Sequence, residues 1–159
     1  MPATKRIMKR RKNKTRKIPS KIKKMINIFK LYPEIFPKGY FRFLQARLEK
    51  HTKDKTIIFK NGVIMTWKVY QKIVIKTKKC YYEKGDVKLD QIVNKNAGNG
   101  KAKKIFLKFL KKFGHKKIWL EVRSNNKRAI RFYKKNGFKT KCKIKFGSLN
   151  GIIMLRKPN

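Results

Sequence analysis

From Ser20 onward, Ile22, Met25, Ile26 and Phe29 recur at three- and four-residue intervals, the spacing of one helix face, and the pattern stops before Pro33. Ser20 is predicted to cap this helix. A second helix is expected between Pro37 and His51, with Phe41, Leu44 and Leu48 on one side. The period then shortens to two. Thr56 to Phe59 and Val63 to Val69 read as strands joined by Asn61-Gly62, a strong hairpin-turn pair. More β-rich sequence runs through Ile75 and Tyr81-Tyr82, and a further strand from Val87 to about Asn94 enters a glycine-rich loop. Ala102, Ile105, Phe106, Phe109 and Leu110 then mark an amphipathic helix, with Gly114 as its expected C-cap. A strand over Lys117 to Val122, a helix over Asn126 to Lys135 closed by Gly137, and two strands around Phe138 to Phe146 and Ile152 to Arg156 complete the pattern. A five-residue turn, Gly147 to Gly151, is expected between the last two. This order predicts an α/β fold, a mixed central sheet with helices on both faces.

Charge changes that picture at one end. The chain of 159 residues holds 48 Lys plus Arg against 7 Asp plus Glu, a formal net charge of +41. The first acidic residue is Glu34. Residues 1–19 therefore read as a basic, disordered arm, and residues 20–159 as one domain. Charge on this scale implies an anionic partner, RNA or DNA, reached through the basic arm from Lys5 to Lys24. A targeting signal or a solubilising tail are the other readings of the arm. Skewed base composition would explain the lysines but not the scarcity of acids.

No run of about 18 apolar residues predicts a membrane span, and the N-terminus lacks the apolar core of a secretory signal. Cys80 and Cys142 are expected as reduced thiols, which places the chain in an intracellular or organellar compartment. With only His51 and His115, no zinc-ligand spacing exists. Trp67 and Trp119 are expected in the core.

Two segments carry chemistry. The first is the strand-loop-helix from Leu89 to Ala102, containing Gly98, Asn99, Gly100, Lys101 and Ala102. Its small residues permit positive φ and close backbone approach, and the helix begins where successive N–H groups are exposed, a cradle for phosphate. No P-loop lysine followed by Ser or Thr is present, which argues against nucleoside triphosphates. The second segment is Asn126-Lys127-Arg128-Ala129-Ile130-Arg131-Phe132-Tyr133-Lys134-Lys135-Asn136-Gly137-Phe138, where Asn126, Ala129 and Tyr133 share one helical face.

Together the segments resemble the GNAT superfamily of acetyl-CoA-dependent N-acetyltransferases. That family pairs a Q/R-x-x-G-x-G/A loop with a later N-x-x-A-x-x-x-Y-x-x-x-G-F helix. The second pattern is met at Asn126, Ala129, Tyr133, Gly137 and Phe138. The first is met at Gly100 and Ala102, while Ala97 stands at the Gln/Arg place; a shifted register through Lys95, Gly98 and Gly100 keeps a basic residue.

The resemblance spans about residues 20–159 and implies acetyl-CoA as cofactor. Ile92, Val93 and Asn94 would hold its pantetheine arm, with an N–H near Ile92 facing the thioester carbonyl. Gly98, Asn99, Gly100, Lys101 and Ala102 would bind its pyrophosphate. Asn126 would contact the cofactor or a water, and Tyr133 would protonate the departing thiolate. Asp90 is the candidate base, with Glu83 and Glu121 as outside candidates; a salt-bridged surface carboxylate is the other reading of Asp90. Acetyl transfer to a primary amine of unidentified acceptor follows, acidic or nucleic-acid-associated given the charge. The rival is a non-catalytic structural or RNA/DNA-binding component built on this fold, in a large assembly such as a ribosome or virion.

Overall fold

The computed structural model describes residues 17–159; the arm predicted over residues 1–19 lies, up to residue 16, outside them. The chain enters through α1 (Ser20–Phe29), a 3-10 stretch (Lys38–Phe43) and α2 (Leu44–Lys53). Then come β1 (Ile57–Lys60), β2 (Val63–Val69), the short strands β3 (Val74–Ile75) and β4 (Tyr81–Tyr82), and β5 (Val87–Asn94). The remainder is α3 (Lys101–Phe113), β6 (Ile118–Arg123), α4 (Lys127–Lys135), β7 (Lys139–Phe146) and β8 (Leu149–Arg156).

Six strands form one sheet in the order β1-β2-β5-β6-β8-β7, while β3 and β4 pair only with each other. All sheet pairings are antiparallel except β5 with β6. One face is covered by α3 and α4, whose Phe106, Phe109 and Tyr133 pack on Trp67, Leu89, Leu120 and Met154. On the opposite face α1 and α2 bury Phe29, Leu44 and Leu48 against Ile64 and Val93. The β3–β4 hairpin covers the rest of that face, bringing Cys80 and Tyr82 onto Trp119, Ile153 and Leu155. The expected mixed sheet with helices on both faces is therefore present, and both tryptophans are core residues.

Several local expectations are corrected. Cys80 and Cys142 are joined in a disulfide, not free thiols; the β3–β4 hairpin folds onto β7 and brings their Cα atoms to 6.5 Å, within bridging reach. Pro19, not Ser20, is the N-cap of α1, and Ser20 is its first helical residue. Gly114 keeps a right-handed φ of −60°, so α3 ends without a left-handed cap. Gly137, at φ +86°, does close α4 in the left-handed region. The last turn is also tighter than expected: β8 begins at Leu149 and pairs it with Phe146, leaving only Gly147 and Ser148 between strands. Asn61 and Gly62 both have positive φ, 52° and 76°, as a primed hairpin turn requires.

Candidate active site

β5 positions the site through two irregularities. The first is a bulge: Thr66 faces Gln91 and Trp67 faces Leu89, so Asp90 has no partner on β2. An extra residue resets the alternation. Leu89 and Ile92 consequently both reach the α3–α4 side, while the adjacent Asp90 and Gln91 both face α2 and its neighbours. The second irregularity is a divergence. β5 and β6 pair only from Val87–Leu89 to Ile118–Leu120, and beyond that point the strands separate. The edge of β5 from Asp90 to Asn94 that faces β6 is thus left without a ladder partner, in a sheet otherwise closed on both sides of this strand.

A cavity of about 1510 Å³ runs through this divergence. At one end lie Gly98, Gly100 and Ala102, at the start of α3. Gly98 and Gly100 have φ of +87° and +74°, which non-glycine side chains adopt only under strain. The loop is tied internally by asparagines. Asn94 Nδ2 donates to Asn99 Oδ1 at 3.0 Å, the Asn96 N–H donates to Asn94 Oδ1 at 3.1 Å, and the Lys101 N–H donates to Asn99 Oδ1 at 3.1 Å. Gly100 is the N-cap of α3, and the Lys101 N–H beside it is already engaged by Asn99. Lys101 itself is exposed. A cation arrives from elsewhere: an Arg128 guanidinium nitrogen lies 3.9 Å from where a Gly98 Cβ would sit, beside the loop in which Ala97 offers no charge.

The divergence itself is lined by Ile92, Val93 and Asn94 from β5 and by Asn126, Ala129 and Tyr133 from α4. Asn126 is the N-cap of α4, its Oδ1 accepting from the Ala129 N–H at 3.2 Å. Tyr133 is 8% exposed, ringed by Phe106, Phe132 and Phe138. Burial pushes its phenol well above the ordinary tyrosine range, so the hydroxyl stays protonated. The Tyr32 hydroxyl donates to the Asn94 carbonyl.

The far end of the cavity lies on the other face of the sheet, at the seam between α2 and the hairpin. Asp90 lies there, 15% exposed at its side chain, with Oδ2 3.4 Å from His51 Nε2 and Oδ1 3.5 Å from Lys88 Nζ. Lys88 Nζ also lies 3.2 Å from Glu121 Oε2. Glu121 Oε1 takes a hydrogen bond from the Tyr82 hydroxyl at 2.6 Å and an ion pair with Lys76 at 3.0 Å. Burial alone would raise the Asp90 pKa, but His51, Lys88 and Lys68 outweigh it and hold the carboxyl below its ordinary range. Glu121 is likewise lowered, with Lys88, Tyr82 and Lys76 overcoming its burial. Gln91 Nε2 donates to the Tyr40 hydroxyl, whose pKa burial pushes up to about 12. Glu83 pairs instead with Lys117.

The acetyltransferase (GNAT) family model matches residues 95–138, which hold the glycine loop, α3, β6 and α4. Solved structures align over nearly the whole chain. A Pyrococcus horikoshii protein is 17% identical with a TM-score of 0.62, covering 90% of this chain and 94% of its own. The fold is that of the GNAT superfamily. A Corynebacterium glutamicum protein described as histone acetyltransferase HPA2 and related acetyltransferase shares the GNAT fold at 15% identity, TM-score 0.59, covering 86% of this chain and 92% of its own. An N-acetyltransferase of Staphylococcus aureus does so at 17% identity and TM-score 0.56, over 85% of this chain and 91% of its own. No curated protein matches by sequence.

Within the GNAT fold, the cavity gathers Asp90, Ile92, Val93, Asn94, Gly98, Gly100, Ala102, Asn126 and Tyr133, together with Glu121. Asn99 and Lys101 lie beside it in the loop, and Glu83 stands outside it, paired with Lys117. Sequence reasoning missed His51, Lys88 and Tyr40. No spacing signal marks them, because they come from α2, from β5 and from the 3-10 stretch and meet only through tertiary packing.

Proposed function

We propose that the protein transfers an acetyl group from acetyl-CoA to a primary amine. The observation that carries this is the opening between β5 and β6, flanked by a positive-φ glycine cradle and by the buried Tyr133 hydroxyl. Residues at the cradle fit a pyrophosphate, and the unladdered edge of β5 fits an extended chain with amide groups. When bound, acetyl-CoA supplies an activated acetyl thioester.

The chain's own residues then have separable duties. Gly98, Gly100 and Ala102 bring backbone close to phosphate while Arg128 adds charge. Ile92, Val93 and Asn94 offer main-chain groups along the opening, and an N–H near Ile92 would donate to the carbonyl oxygen of a bound thioester. Such a donor is worth about 2.7–4 kcal/mol. Tyr133 would hold the proton that the departing thiolate takes up. Asn126 shapes the start of α4 on which Tyr133 is carried.

At the acceptor end, Asp90 attracts and orients the incoming ammonium. A carboxylate held at low pKa is a weak proton acceptor, so the ammonium loses one proton to solvent before its nitrogen can attack, and the second amine proton leaves through solvent as Tyr133 regains its own. Lysine and arginine crowd the outside of this end, among them Arg47, Lys50 and Lys68. An amine borne on an anionic body suits that combination, with negative charge in the depth and positive charge at the rim. The rival reading, a structural or nucleic-acid-binding component, is favoured by the +41 charge and by Ala97.

Calorimetry of acetyl-CoA binding at high salt separates the two. Micromolar binding, abolished by Gly100→Trp, is expected; absence of saturable binding would leave a fold without this activity. Gly100 is the right probe because its left-handed φ and position at the cradle make a large side chain both strained and obstructive.

A further inference from the structure

The distribution of acids is as uneven as their number. The last of them is Glu121, so no carboxylate side chain occurs in α4, β7 or β8, and none occurs in α3. Every ion pair among the described residues lies on α2, β2, β5, β6 or around the hairpin. The face bearing α4 and the β7 edge therefore has no internal counter-charge. Random lysine enrichment gives a diffuse coat, but here the cations line a defined hollow.

A groove of about 420 Å³ lies between α4 and the β7–β8 ribbon, separate from the acetyl-CoA cavity. Lys127, Arg131 and Lys134 border it, at intervals of four and three residues, about 6 and 4.5 Å along the helix axis. Its remaining lining is Ser124 and Thr140 with an apolar floor of Ile130 and Ile152. The Ser124 and Thr140 hydroxyls make no hydrogen bond among the described residues, and Lys127, Arg131 and Lys134 make no ion pair among them. Lys143 stands opposite Ile152 on the edge strand and extends the positive row.

We infer that this groove binds the phosphate chain of a single-stranded nucleic acid. Three cations spaced at roughly the distance between successive phosphates meet the backbone, and two hydroxyls donate to phosphate oxygens, which positions a strand without reading its bases. Asn126, Ala129 and Tyr133 face the other cavity, so α4 serves two sites from two sides.

The test uses the full chain and a fluorescent oligouridylate of about 12 nucleotides, within the site sizes such grooves span. Binding is titrated across a salt series for wild type, for Lys127→Gln/Arg131→Gln/Lys134→Gln, and for a control of equal charge on α3, Lys104→Gln/Lys108→Gln/Lys111→Gln. The groove variant should bind at least about tenfold more weakly and flatten the slope of log affinity against log salt by about 2, at about 0.7 per phosphate contact. The control should change both far less. Ser124→Ala/Thr140→Val, which leaves charge untouched, should weaken binding about threefold with an unchanged slope. That variant also keeps the question open to refutation if the triple fails to fold.

Unlabelled polyphosphate and nucleoside triphosphate distinguish the source of the phosphate chain. Displacement by the oligonucleotide alone supports a strand, and displacement by free nucleotide at equal phosphate concentration redirects the site to nucleotides and overturns the strand assignment. Equal losses in the two triple variants, or a Ser124/Thr140 variant identical to wild type, would overturn the site altogether. Saturating acetyl-CoA should not displace the strand, so loss of acetyl-CoA binding and loss of this groove remain distinguishable.

Discussion

Tyr133 and Asp90 are opposite solutions to burial. Tyr133 has no charged neighbour resolved as shifting it, so desolvation alone keeps it neutral and protonated. Tyr133→Phe should therefore lower the turnover rate by about 10²-fold, with acetyl-CoA affinity changed less than about twofold, as read by steady-state kinetics and calorimetry. Asp90 is half-buried, yet His51, Lys88 and Lys68 keep it ionised. Its folded pKa lies below its unfolded one, and the same holds for Glu121. Stability from both is complete above the unfolded carboxylate range and is lost as pH falls through the lower folded values, that is, below about pH 4. Denaturant titrations of Asp90→Asn should show lower stability at neutral pH and a flatter decline into acid than wild type. An unchanged acid slope would mean that Asp90 is not held low.

The elements show what a linear pattern does and does not carry. Helical and strand periods located α1 to α4 and the six sheet strands within a few residues, because each buries one face and repeats accordingly. The glycine loop and the Asn126–Tyr133 face were legible for a different reason: their chemistry is local, a run of small residues and a three-four spacing. The Asp90 bulge was not legible, since alternation assigns a face only while register holds, and one unmatched residue reverses it. The disulfide was hidden for a similar reason, as 62 residues separate its cysteines and only the folded hairpin brings them together. That hairpin also delivers Lys76 and Tyr82 to Glu121. Cys80→Ser/Cys142→Ser should cost about 2–4 kcal/mol in unfolding free energy. It should also raise the Michaelis constant for the amine more than that for acetyl-CoA, since the loosened element touches only the acceptor end.

At the scale of the molecule, the core and the charge oppose one another. Three clusters hold the sheet between its covering layers, while +41 of like charge strains the compact state. Screening should thus stabilise the protein, the reverse of what is expected for one held by surface ion pairs. A rise in melting temperature of about 5 °C between low and moderate ionic strength is expected by calorimetry, on the order of 1–2 kcal/mol for a domain this size. A falling melting temperature would mean that its few ion pairs dominate.

The divergence of β5 from β6 places a strand edge without a ladder partner inside the sheet rather than at its rim. Outer edges such as β7 carry lysines that discourage strangers, but Ile92 and Val93 on the inner edge are apolar and offer no such deterrent. A neighbouring chain's extended segment, released during synthesis or heating, would find there a ready template for pairing. Occupancy of that edge by a small ligand would then act as a guard against aggregation, and the yield of soluble protein in the cell would follow the supply of that ligand.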